Sequence, residues 1–370
     1  MRTVYINGKF TAQPTTGVQR VSASLIQAMD DHLLNFGGVA HTRWVLLCPA
    51  NGAAPALKQI EVRHVGWRLP SLHLWEQVAL PLAARGALLL NLSGSAPALK
   101  RSQVCTFHDA AVFDRPEAYT AAFAAWYRFL FRRLSRAARL VITVSEFSKQ
   151  RLMAHLGLPA ERIAVVRSGA EHLLPVTEDA SILARLGLVG EPYFLAVGSS
   201  NPIKNHAALV EAFSALREGC AARLVIVGGV HGAVFAGAPP TQAGHRILRA
   251  GAVNDAQLKA LYRHAQGLLF PSTYEGYGLP PLEAMSFGCP VLASRAAAIP
   301  EVCGDAALYV DPHSVTDMTA AIERLIGDPA LRERLRRSGA ERIKLLTWPN
   351  AARALFAHLH AAGLTEAAAL

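Results

Sequence analysis

Short apolar runs alternate along the chain with stretches in which apolar residues recur at helical spacing. In the first half the runs predict five strands, at 3–6, 44–48, 87–92, 103–107 and 140–144. In the second half they predict five more, at 193–198, 223–228, 267–271, 290–294 and 307–311. The helical stretches between them are 18–29, 75–84, 119–138, 206–217, 255–265 and 315–326. Such alternation is typical of α/β folds with parallel sheets.

The two series of strands meet between Ser168 and Glu191. This junction predicts two doubly wound, Rossmann-like domains in tandem, with a cleft between them. The length of 370 residues agrees with two domains, because one domain usually has about 100 to 200. Ligands of such folds bind beyond the carboxyl ends of the strands, so the residues that follow each strand are the first candidates for a site.

The composition excludes several classes of protein. Apolar residues make up 52% of the chain and charged residues 17%, which favours sizeable cores over disorder. The longest apolar runs, such as 86–92, are far shorter than the roughly 20 residues of a transmembrane helix. Residues 1–8 lack the apolar core of a signal peptide. The five scattered cysteines predict a reducing, cytoplasmic environment and argue against a zinc site or a disulfide framework.

Positive charge is concentrated in the first half of the chain. Up to residue 175 there are 20 Lys or Arg against 10 Asp or Glu, so the net charge of +10 arises there. Such a basic half favours an anionic partner, such as nucleic acid, a membrane surface or a phosphorylated substrate. A solvated basic surface without a partner is the alternative. We expect no nucleic acid, because no helix-turn-helix, zinc-finger or RNA-recognition string accompanies the charge.

The segment 270–294 carries the most specific chemistry. It runs from a strand into a glycine-containing loop and then into a helix that Pro280 and Pro281 open. The loop and the start of the helix form an anion site, whose donors are the amides of Gly276, Tyr277, Gly278 and Leu279. Glu275 before the helix and Glu283 in its first turn place a carboxylate on each side of a bound diphosphate, where both can accept hydrogen bonds from sugar hydroxyls. An ordinary loop with solvated acids is the alternative.

A second candidate site follows the strand at 193–198. Ser199 belongs to a turn of small residues, and Lys204 and Asn205 stand directly before a helix. The Lys204 ammonium would give a phosphate a point charge while nearby amides donate hydrogen bonds. A solvated lysine at a helix start is the alternative.

A weaker candidate is the run 227–232, whose glycines lack the Gly-x-Gly-x-x-Gly spacing of dinucleotide-binding folds. It predicts a tight turn near a nucleotide, and a purely structural turn is the alternative. The missing fingerprint, and the absence of a ribose-binding acid about 20 residues later, argue against a dinucleotide-dependent oxidoreductase.

The run from Glu275 to Glu283 resembles the nucleotide-sugar site of the retaining glycosyltransferases of family 4, which have a GT-B fold. In that family two glutamates separated by seven residues enclose a Gly-aromatic-Gly-Leu-Pro loop. The likeness extends to 288–291 and 299–307 and, upstream, to 254–262. It implies an acceptor-binding domain over 1–170 and a nucleotide-sugar domain over 171–347. It also implies a last helix, 348–362, that packs back on the first domain.

The resemblance implies roles for single residues. The catalytic set is Glu275, Lys204, His108 and Asp109, and the donor-binding set is Gly17, Ser199, Asn205, Val253, Gly276, Tyr277, Gly278, Leu279 and Glu283. Ile203 departs from the family because arginine is frequent at its position, which leaves one phosphate contact open.

Two strings of the first half resemble bacterial mannosyltransferases. In 15–20, the backbone at Gly17 would approach donor phosphate or acceptor, and Arg20 is either a phosphate ligand or a surface charge. In 106–109, His108 would hydrogen-bond the transferred sugar while Asp109 orients the ring or the loop. A structural His-Asp pair is the alternative.

The stretch 119–139 combines aromatic and aliphatic residues with five arginines, Arg128, Arg132, Arg133, Arg136 and Arg139. At helical spacing these residues can form a basic surface that rests on anionic lipid, which would make the protein peripheral on the inner face of the plasma membrane. A packed helix whose arginines face the solvent is the alternative.

The function implied by the resemblance is a retaining hexosyl transfer to a glycan or lipid-linked oligosaccharide, in lipopolysaccharide or exopolysaccharide synthesis. The donor implied first is GDP-mannose. UDP-glucose, UDP-GlcNAc and a dTDP- or GDP-deoxysugar are the alternatives, as is a non-catalytic protein that binds a sugar nucleotide or a polyanion. We expect no cofactor and no metal, since the sequence has no obvious Asp-x-Asp pair.

Overall fold

The computed structural model describes residues 2–35, 42–66, 71–217, 219–229 and 246–366. The chain divides into two compact units, the first formed by 1–110, 125–169 and 347–370 and the second by 111–124 and 170–346. Residues 111–124 therefore group with the second unit, although the sequence analysis placed them in the first domain. One contact that holds them there is the hydrogen bond from the Tyr274 hydroxyl to Oδ2 of Asp114, 2.8 Å long.

The first unit is built on a seven-stranded parallel sheet in the order β3-β2-β1-β4-β5-β6-β7. Its strands are β1 (Arg2–Asn7), β2 (Thr42–Pro49), β3 (Glu61–Val65), β4 (Leu88–Asn91), β5 (Gln103–Thr106), β6 (Leu140–Thr143) and β7 (Ile163–Val165). Its helices are α1 (Gly17–Asn35), α2 (Leu72–Gln77), α3 (Ala79–Ala83), α5 (Ala121–Ala137), which starts in the second unit, α6 (Glu146–Leu156) and α14 (Trp348–Ala361). Every residue of β4, β5 and β6 is buried, as expected of inner strands covered on both faces.

The second unit is built on a six-stranded parallel sheet in the order β10-β9-β8-β11-β12-β13. Its strands are β8 (Tyr193–Val197), β9 (Arg223–Val227), β10 (Ile247–Gly251), β11 (Gly267–Phe270), β12 (Val291–Ser294) and β13 (Ala307–Val310). Its helices are α4 (Ala111–Asp114), α7 (Ser181–Arg185), α8 (His206–Ser214), α9 (Asp255–His264), α10 (Leu279–Ser286), α11 (Ile299–Cys303), α12 (Val315–Gly327) and α13 (Pro329–Ile343). The ten predicted strands are all present, and both units have the predicted Rossmann-like topology.

The last helix, α14, belongs to the first unit and packs along α1. The Phe356 ring stacks on His32 at a centroid distance of 5.0 Å and meets the Trp44 ring edge-on at 5.4 Å. Thr347 caps the helix by accepting a hydrogen bond from the amide of Asn350. Among the described residues, no helix combines the length and the apolar character needed to span a bilayer.

Candidate functional site

The order of strands reverses beside β8 in the second unit. The chain proceeds from β8 to β9 and β10 on one side and then returns to add β11 on the other side. At such a switch point the loops after the two central strands diverge and leave a crevice in which ligands bind. The loops that follow β8 and β11 are the two in which the sequence places Lys204 and Glu275.

The structure brings Lys204 and Glu275 together. Nζ of Lys204 donates a hydrogen bond of 2.6 Å to Oε1 of Glu275, and it lies 5.6 Å from the centroid of the Phe270 ring. The two side chains are 21% and 13% exposed, so solvent reaches both. The pair therefore holds one cation and one carboxylate, each balanced by the other, at the switch point.

Hydrogen bonds to backbone carbonyls fix these loops in place. The amide of Thr273 donates to the carbonyl of Ile203, and Nδ2 of Asn205 donates to the carbonyls of Pro271 and Pro312. Asn205 has a φ of +58°, a left-handed conformation that asparagine tolerates better than most residues. Both amide hydrogens of Asn205, a predicted donor-binding residue, thus hold the loop. Ile203 is buried, so a core contact stands where the family resemblance favours arginine.

Helix α10 begins at Leu279, one residue before the two prolines that were predicted to open it. Gly278 is its N-cap, with a φ of +113° that requires glycine. The first amides of a helix have no partner within the helix and carry the positive end of its dipole. Pro280 and Pro281 have no N–H. The amides that the helix itself can donate to an anion are therefore those of Gly278 and Leu279.

Glu283 lies in the second turn of α10, not in the first turn as the sequence analysis expected. Its side chain is buried, and each of its carboxylate oxygens accepts a hydrogen bond. Nε2 of His172 contacts Oε1 at 2.9 Å, and the hydroxyl of Tyr262 donates to Oε2 at 2.8 Å. Each carboxylate oxygen can accept about two hydrogen bonds, so a sugar hydroxyl can still be accommodated.

His172 and Tyr262 are site residues that were not predicted from the sequence. His172 lies in a short 3-10 helix, Glu171–Leu173, just after the junction of the units, and Tyr262 lies on α9. Tyr262 does end the string 254–262 that resembles the family, so its position gave a signal. No spacing rule could have indicated His172, because it lies 111 positions before Glu283 in the sequence.

The end of β9 packs tightly against the turn that contains Ser199. A Cβ at Gly228 would lie 1.8 Å from the carbonyl oxygen of Gly198, so packing alone requires glycine there. The amide of Ser200 donates to the carbonyl of Gly229. Gly228 therefore has the structural role that the sequence analysis left open, whereas residues 230–232 of the predicted turn lie outside the described residues. Val253 is half-buried between β10 and α9, two strands from β8.

His206 is a titratable group near this site that the sequence analysis did not consider. It is the first residue of α8, directly after Asn205. Burial, together with the positive charges of Lys204 and Arg249, lowers the pKa of His206 to about 4. Its imidazole is therefore neutral at pH 7 and leaves Lys204 as the cation of this loop.

His108 and Asp109 follow β5 in the first unit, as predicted. Nε2 of His108 lies 3.0 Å from the carbonyl oxygen of Leu92, so Nε2 carries the hydrogen. Burial lowers the pKa of His108 to about 4, which leaves Nδ1 as an acceptor at pH 7. The carbonyl of Leu92 therefore orients the ring. The role of Asp109 in orienting the ring or the loop stays a prediction.

Gly17 is the first residue of α1 and is exposed. A Cβ at this position would meet no atom within 4 Å, so packing does not require glycine. Arg20 stands in the first turn of the same helix, where its amide donates to the carbonyl of Thr16.

The arginines predicted to form a basic surface lie on and just beyond α5. Arg132, Arg136 and Arg139 are exposed, whereas Arg128 and Arg133 are half-buried. Leu130 and Leu134 on the opposite side are buried. The helix is thus amphipathic, with most of its arginines facing outward. This geometry is compatible with a basic surface on anionic lipid and with a packed helix whose arginines face the solvent.

Two known protein families match parts of this chain. "Glycosyltransferase Family 4" matches residues 43–172, and "Glycosyl transferases group 1" matches residues 181–342. The chain belongs to glycosyltransferase family 4. The predicted resemblance is therefore confirmed, and this glycosyltransferase has its Lys204–Glu275 pair in the region matched by the second family.

Curated relatives of this glycosyltransferase include several mannosyltransferases. O-antigen chain mannosyltransferase B of Escherichia coli is 32% identical over 259 residues, which are 67% of this chain and 67% of that protein. The MMP alpha-(1->4)-mannosyltransferase of Mycolicibacterium hassiacum is 28% identical over 265 residues, 67% of this chain and 62% of that protein. The serotype-specific mannosyltransferase WbdA of Escherichia coli matches over 28% of its own length.

Solved structures of low sequence identity share the fold of this chain. Sucrose-phosphate synthase from Thermosynechococcus elongatus has a TM-score of 0.73 at 20% identity, covering 98% of this chain and all of that one. The Anabaena protein HepE in complex with UDP and glucose has a TM-score of 0.69 at 16% identity, with the same coverage. These likenesses confirm the predicted GT-B fold.

Proposed function

We propose that this glycosyltransferase transfers mannose from GDP-mannose to a glycan or lipid-linked oligosaccharide, in the assembly of a surface polysaccharide. The observation that carries the assignment of the donor site is the contact between Lys204 and Glu275 at the switch point of the second sheet. The choice of mannose is supported by the relatives, since the two of greatest coverage named above are mannosyltransferases.

The diphosphate of the donor binds between Lys204 and the start of α10. Its charge replaces the Glu275 carboxylate as the partner of the Lys204 ammonium, while the amides of Gly278 and Leu279 donate to its oxygens. Glu275 is then released to accept hydrogen bonds from the transferred sugar. Glu283, which His172 and Tyr262 hold in place, accepts from the ribose hydroxyls.

The transfer retains the configuration at the anomeric carbon. The bond from that carbon to the phosphate oxygen breaks, and the acceptor hydroxyl oxygen forms its bond on the same face. The proton of the acceptor hydroxyl passes to the departing phosphate oxygen. Lys204 and the positive end of α10 stabilise the negative charge that develops on the diphosphate, so the reaction proceeds without a metal ion.

The role of His108 stays a prediction from the family resemblance. Its neutral Nδ1 can accept a hydrogen bond from a sugar hydroxyl, and its ring is already oriented by the carbonyl of Leu92. Asp109 is proposed to orient the His108 ring or the loop that carries it.

A panel of nucleotide sugars tests the proposal. We expect GDP-mannose to raise the melting temperature and to be hydrolysed slowly, in the presence or absence of EDTA. A response to UDP-glucose, UDP-GlcNAc or a deoxysugar donor in place of GDP-mannose would reassign the donor. Binding without hydrolysis or transfer would favour the non-catalytic alternative, and loss of turnover with EDTA would contradict metal independence.

The acceptor is proposed to be lipid-linked because the first half of the chain carries all the excess positive charge. The exposed arginines of α5 would hold the enzyme on the anionic inner face of the plasma membrane, where such an acceptor lies. A chromatographic shift of a radiolabelled, membrane-extracted acceptor in the presence of GDP-mannose tests this part.

A further inference from the structure

Three apolar side chains form an exposed stripe on α2 and α3, in a region that plays no part in the proposed donor site. Leu74, Val78 and Leu82 are 42%, 40% and 65% exposed. The amide of Val78 donates to the carbonyl of Leu74, and the amide of Leu82 to that of Val78. Residues joined by these bonds lie one turn apart, so the three side chains point to the same side although the helix is interrupted at Val78.

A fourth exposed apolar side chain, Leu99, is carried by a loop that is bonded to the same two helices. The loop that carries it is fastened along both helices, since the amide of Ala98 donates to Oε1 of Gln77 and Nζ of Lys100 donates to the carbonyl of Ala84. Leu99 stands between these two bonds and is 83% exposed. A fixed backbone that presents so exposed a leucine on a loop bonded to the helices of the stripe marks an interaction surface.

The stripe and α5 cover the same face of the first sheet. Helices α2 and α3 connect β3 to β4, α5 connects β5 to β6, and both connections proceed in one direction along the sheet. Right-handed crossovers therefore place them on one face, whereas α1 proceeds in the opposite direction, from β1 to β2. The charge of Glu76 on α2 contributes to the raised pKa of Tyr127 on α5, after burial, which agrees with neighbouring helices.

On α5 this face continues with aromatic and basic side chains. Trp126 and Phe129 are 42% and 55% exposed, at a centroid distance of 5.9 Å. Arg132 and Arg136 are exposed further along the helix, as is Arg85 after α3.

Acidic side chains are absent from the exposed part of both segments. Residues 71–103 contain one acid, Glu76, and residues 121–137 contain none. Glu76 is 1% exposed and forms an ion pair with Lys9 at 2.9 Å. Apolar and cationic groups without acids complement a layer whose surface is anionic and whose interior is hydrocarbon. A second copy of the chain is a poor partner, because a symmetric contact would set these arginines against each other.

We propose that the stripe of Leu74, Val78 and Leu82, together with Leu99, inserts into the surface of an anionic bilayer, beside the basic face of α5. The apolar side chains enter the boundary between headgroups and acyl chains, and the arginines bind the phosphates of the lipids. The inference rests on the proposed function only in that a lipid-linked acceptor gives such docking a use.

The test is cosedimentation with vesicles of phosphatidylcholine and phosphatidylglycerol, without any nucleotide sugar. The variant Leu74→Gln/Val78→Gln/Leu82→Gln changes exposed side chains only. The matched control is Leu174→Gln/Val189→Gln/Leu345→Gln, at positions 48%, 70% and 65% exposed in the second unit. We expect the triple variant to bind at least about tenfold more weakly at low and at high salt, and the control to bind as the unchanged protein does.

A second measurement keeps the test valid if the triple variant fails to fold. The Trp126→Phe parent keeps four other tryptophans, so quenching is measured relative to that parent. The fluorescence added by Leu82→Trp should be quenched by brominated lipids, and that added by Val189→Trp should not. The proposal is overturned if the unchanged protein does not bind the vesicles, if the folded triple variant binds equally well, or if Leu82→Trp is not quenched. A dimer in solution that the triple variant disperses would also overturn it, in favour of a second copy.

The vesicle assay tests the membrane surface and the donor assay tests the proposed function, and the two results are independent. Calorimetric titration of the same preparations with GDP-mannose reports on donor binding, to which the stripe does not contribute. Vesicle binding without a response to any donor would reject the proposed function and leave the surface standing, and the reverse result would reject the surface only.

Discussion

The ammonium of Lys204 lies 2.6 Å from Oε1 of Glu275 and joins the loops that follow the neighbouring strands β8 and β11. The two residues are 71 positions apart in the sequence, so the fold and not local sequence brings them together. The pair is only partly buried, so it can open when a stronger anion arrives. A diphosphate, with several charged oxygens and helix α10 behind it, is such an anion.

The first prediction separates the two members of this pair. Glu275→Ala should lower kcat by about a hundredfold or more while the affinity for free GDP stays near that of the unchanged enzyme, because its proposed partner is the transferred sugar. Lys204→Met should instead weaken GDP binding by roughly 1.5 to 3 kcal/mol, the usual contribution of a hydrogen bond to a charged group. Calorimetric titration with GDP and initial rates of transfer measure both effects.

The control for this experiment is Lys344→Met, which removes an exposed lysine paired with Glu341 elsewhere in the second unit. It should change neither quantity. Equal losses of GDP affinity in Glu275→Ala and Lys204→Met would show that both side chains contact the nucleotide, contrary to the roles proposed here.

The second prediction concerns Glu283. Glu283→Ala should raise the Kd for the donor by roughly 1.5 to 3 kcal/mol in free-energy terms, because the ribose hydroxyls lose their acceptor. It should also lower the free energy of unfolding by roughly 1 to 3 kcal/mol, since the buried Tyr262 hydroxyl loses the carboxylate to which it donates. The first effect is measured by donor titration and the second by urea denaturation.

The variants Tyr262→Phe and His172→Gln distinguish positioning from direct contact. Each keeps the carboxylate and removes or alters one of its two supports, so donor affinity should fall less than in Glu283→Ala, with kcat nearly unchanged. Donor affinity that ignores all three substitutions would refute the ribose assignment.

The third prediction uses the open space around Gly17. Gly17→Ala should leave stability equal or slightly higher, because no atom lies within 4 Å of the new methyl group and alanine favours the helix. Turnover should nevertheless fall if donor or acceptor approaches the backbone there. Thermal melting and transfer rates on one preparation give the comparison, with Gly327→Ala, which also has open space, as control. Full activity of Gly17→Ala would leave the loop without the predicted contact.

Most of the fold could be predicted from the sequence, and the strands that were missed share one property. Strands β3, β7 and β10 all lie at the edge of a sheet. An edge strand pairs on one side only and tolerates polar, exposed residues, as in Glu61–Val65, so it lacks the continuous apolar run of an inner strand. The predicted helix at 75–84 proved to be two helices interrupted at Val78, which apolar spacing cannot show.

The candidate site was predictable where its residues follow a strand in sequence and not where a distant segment completes it. Lys204 and Glu275 stand in recognisable strings, and the topology brings them together. Asn205 ties three segments together by donating to backbone carbonyls. A pattern of side chains in the sequence cannot predict such bonds. The support of Glu283 by His172 likewise depends on a segment from the start of the second unit.

The fourth prediction follows from the lowered pKa of His108, about 4 in the folded protein against an ordinary value of 6.5. Below pH 6.5 the unfolded chain binds a proton that the folded protein does not, so stability should fall as the pH drops from 6.5 towards 4. His206 should act in the same direction, because its pKa is lowered likewise.

Urea denaturation at pH 7 and pH 5 measures this loss. His108→Gln keeps an amide that can donate to the carbonyl of Leu92 but does not titrate, so its stability should depend less on pH over this interval. Identical pH dependence in His108→Gln and the unchanged protein would mean that His108 titrates normally.

The last prediction concerns the arginines of α5. Arg132→Gln/Arg136→Gln/Arg139→Gln should weaken binding to anionic vesicles by about a hundredfold at low salt, since each arginine near such a surface contributes about 1 kcal/mol. Binding of the unchanged protein should decline as salt shortens the Debye length to about 8 Å at 0.15 M, while transfer to a soluble acceptor persists in the variant.

The matched control is Arg185→Gln/Arg334→Gln/Arg337→Gln, three exposed arginines of the second unit with the same change in net charge. If the α5 arginines serve only to pair with neighbouring acids, their loss should lower the melting temperature and leave vesicle binding unchanged. Binding that ignores both salt and substitution would reject the electrostatic part of membrane docking, because a surface held by charge must respond to both.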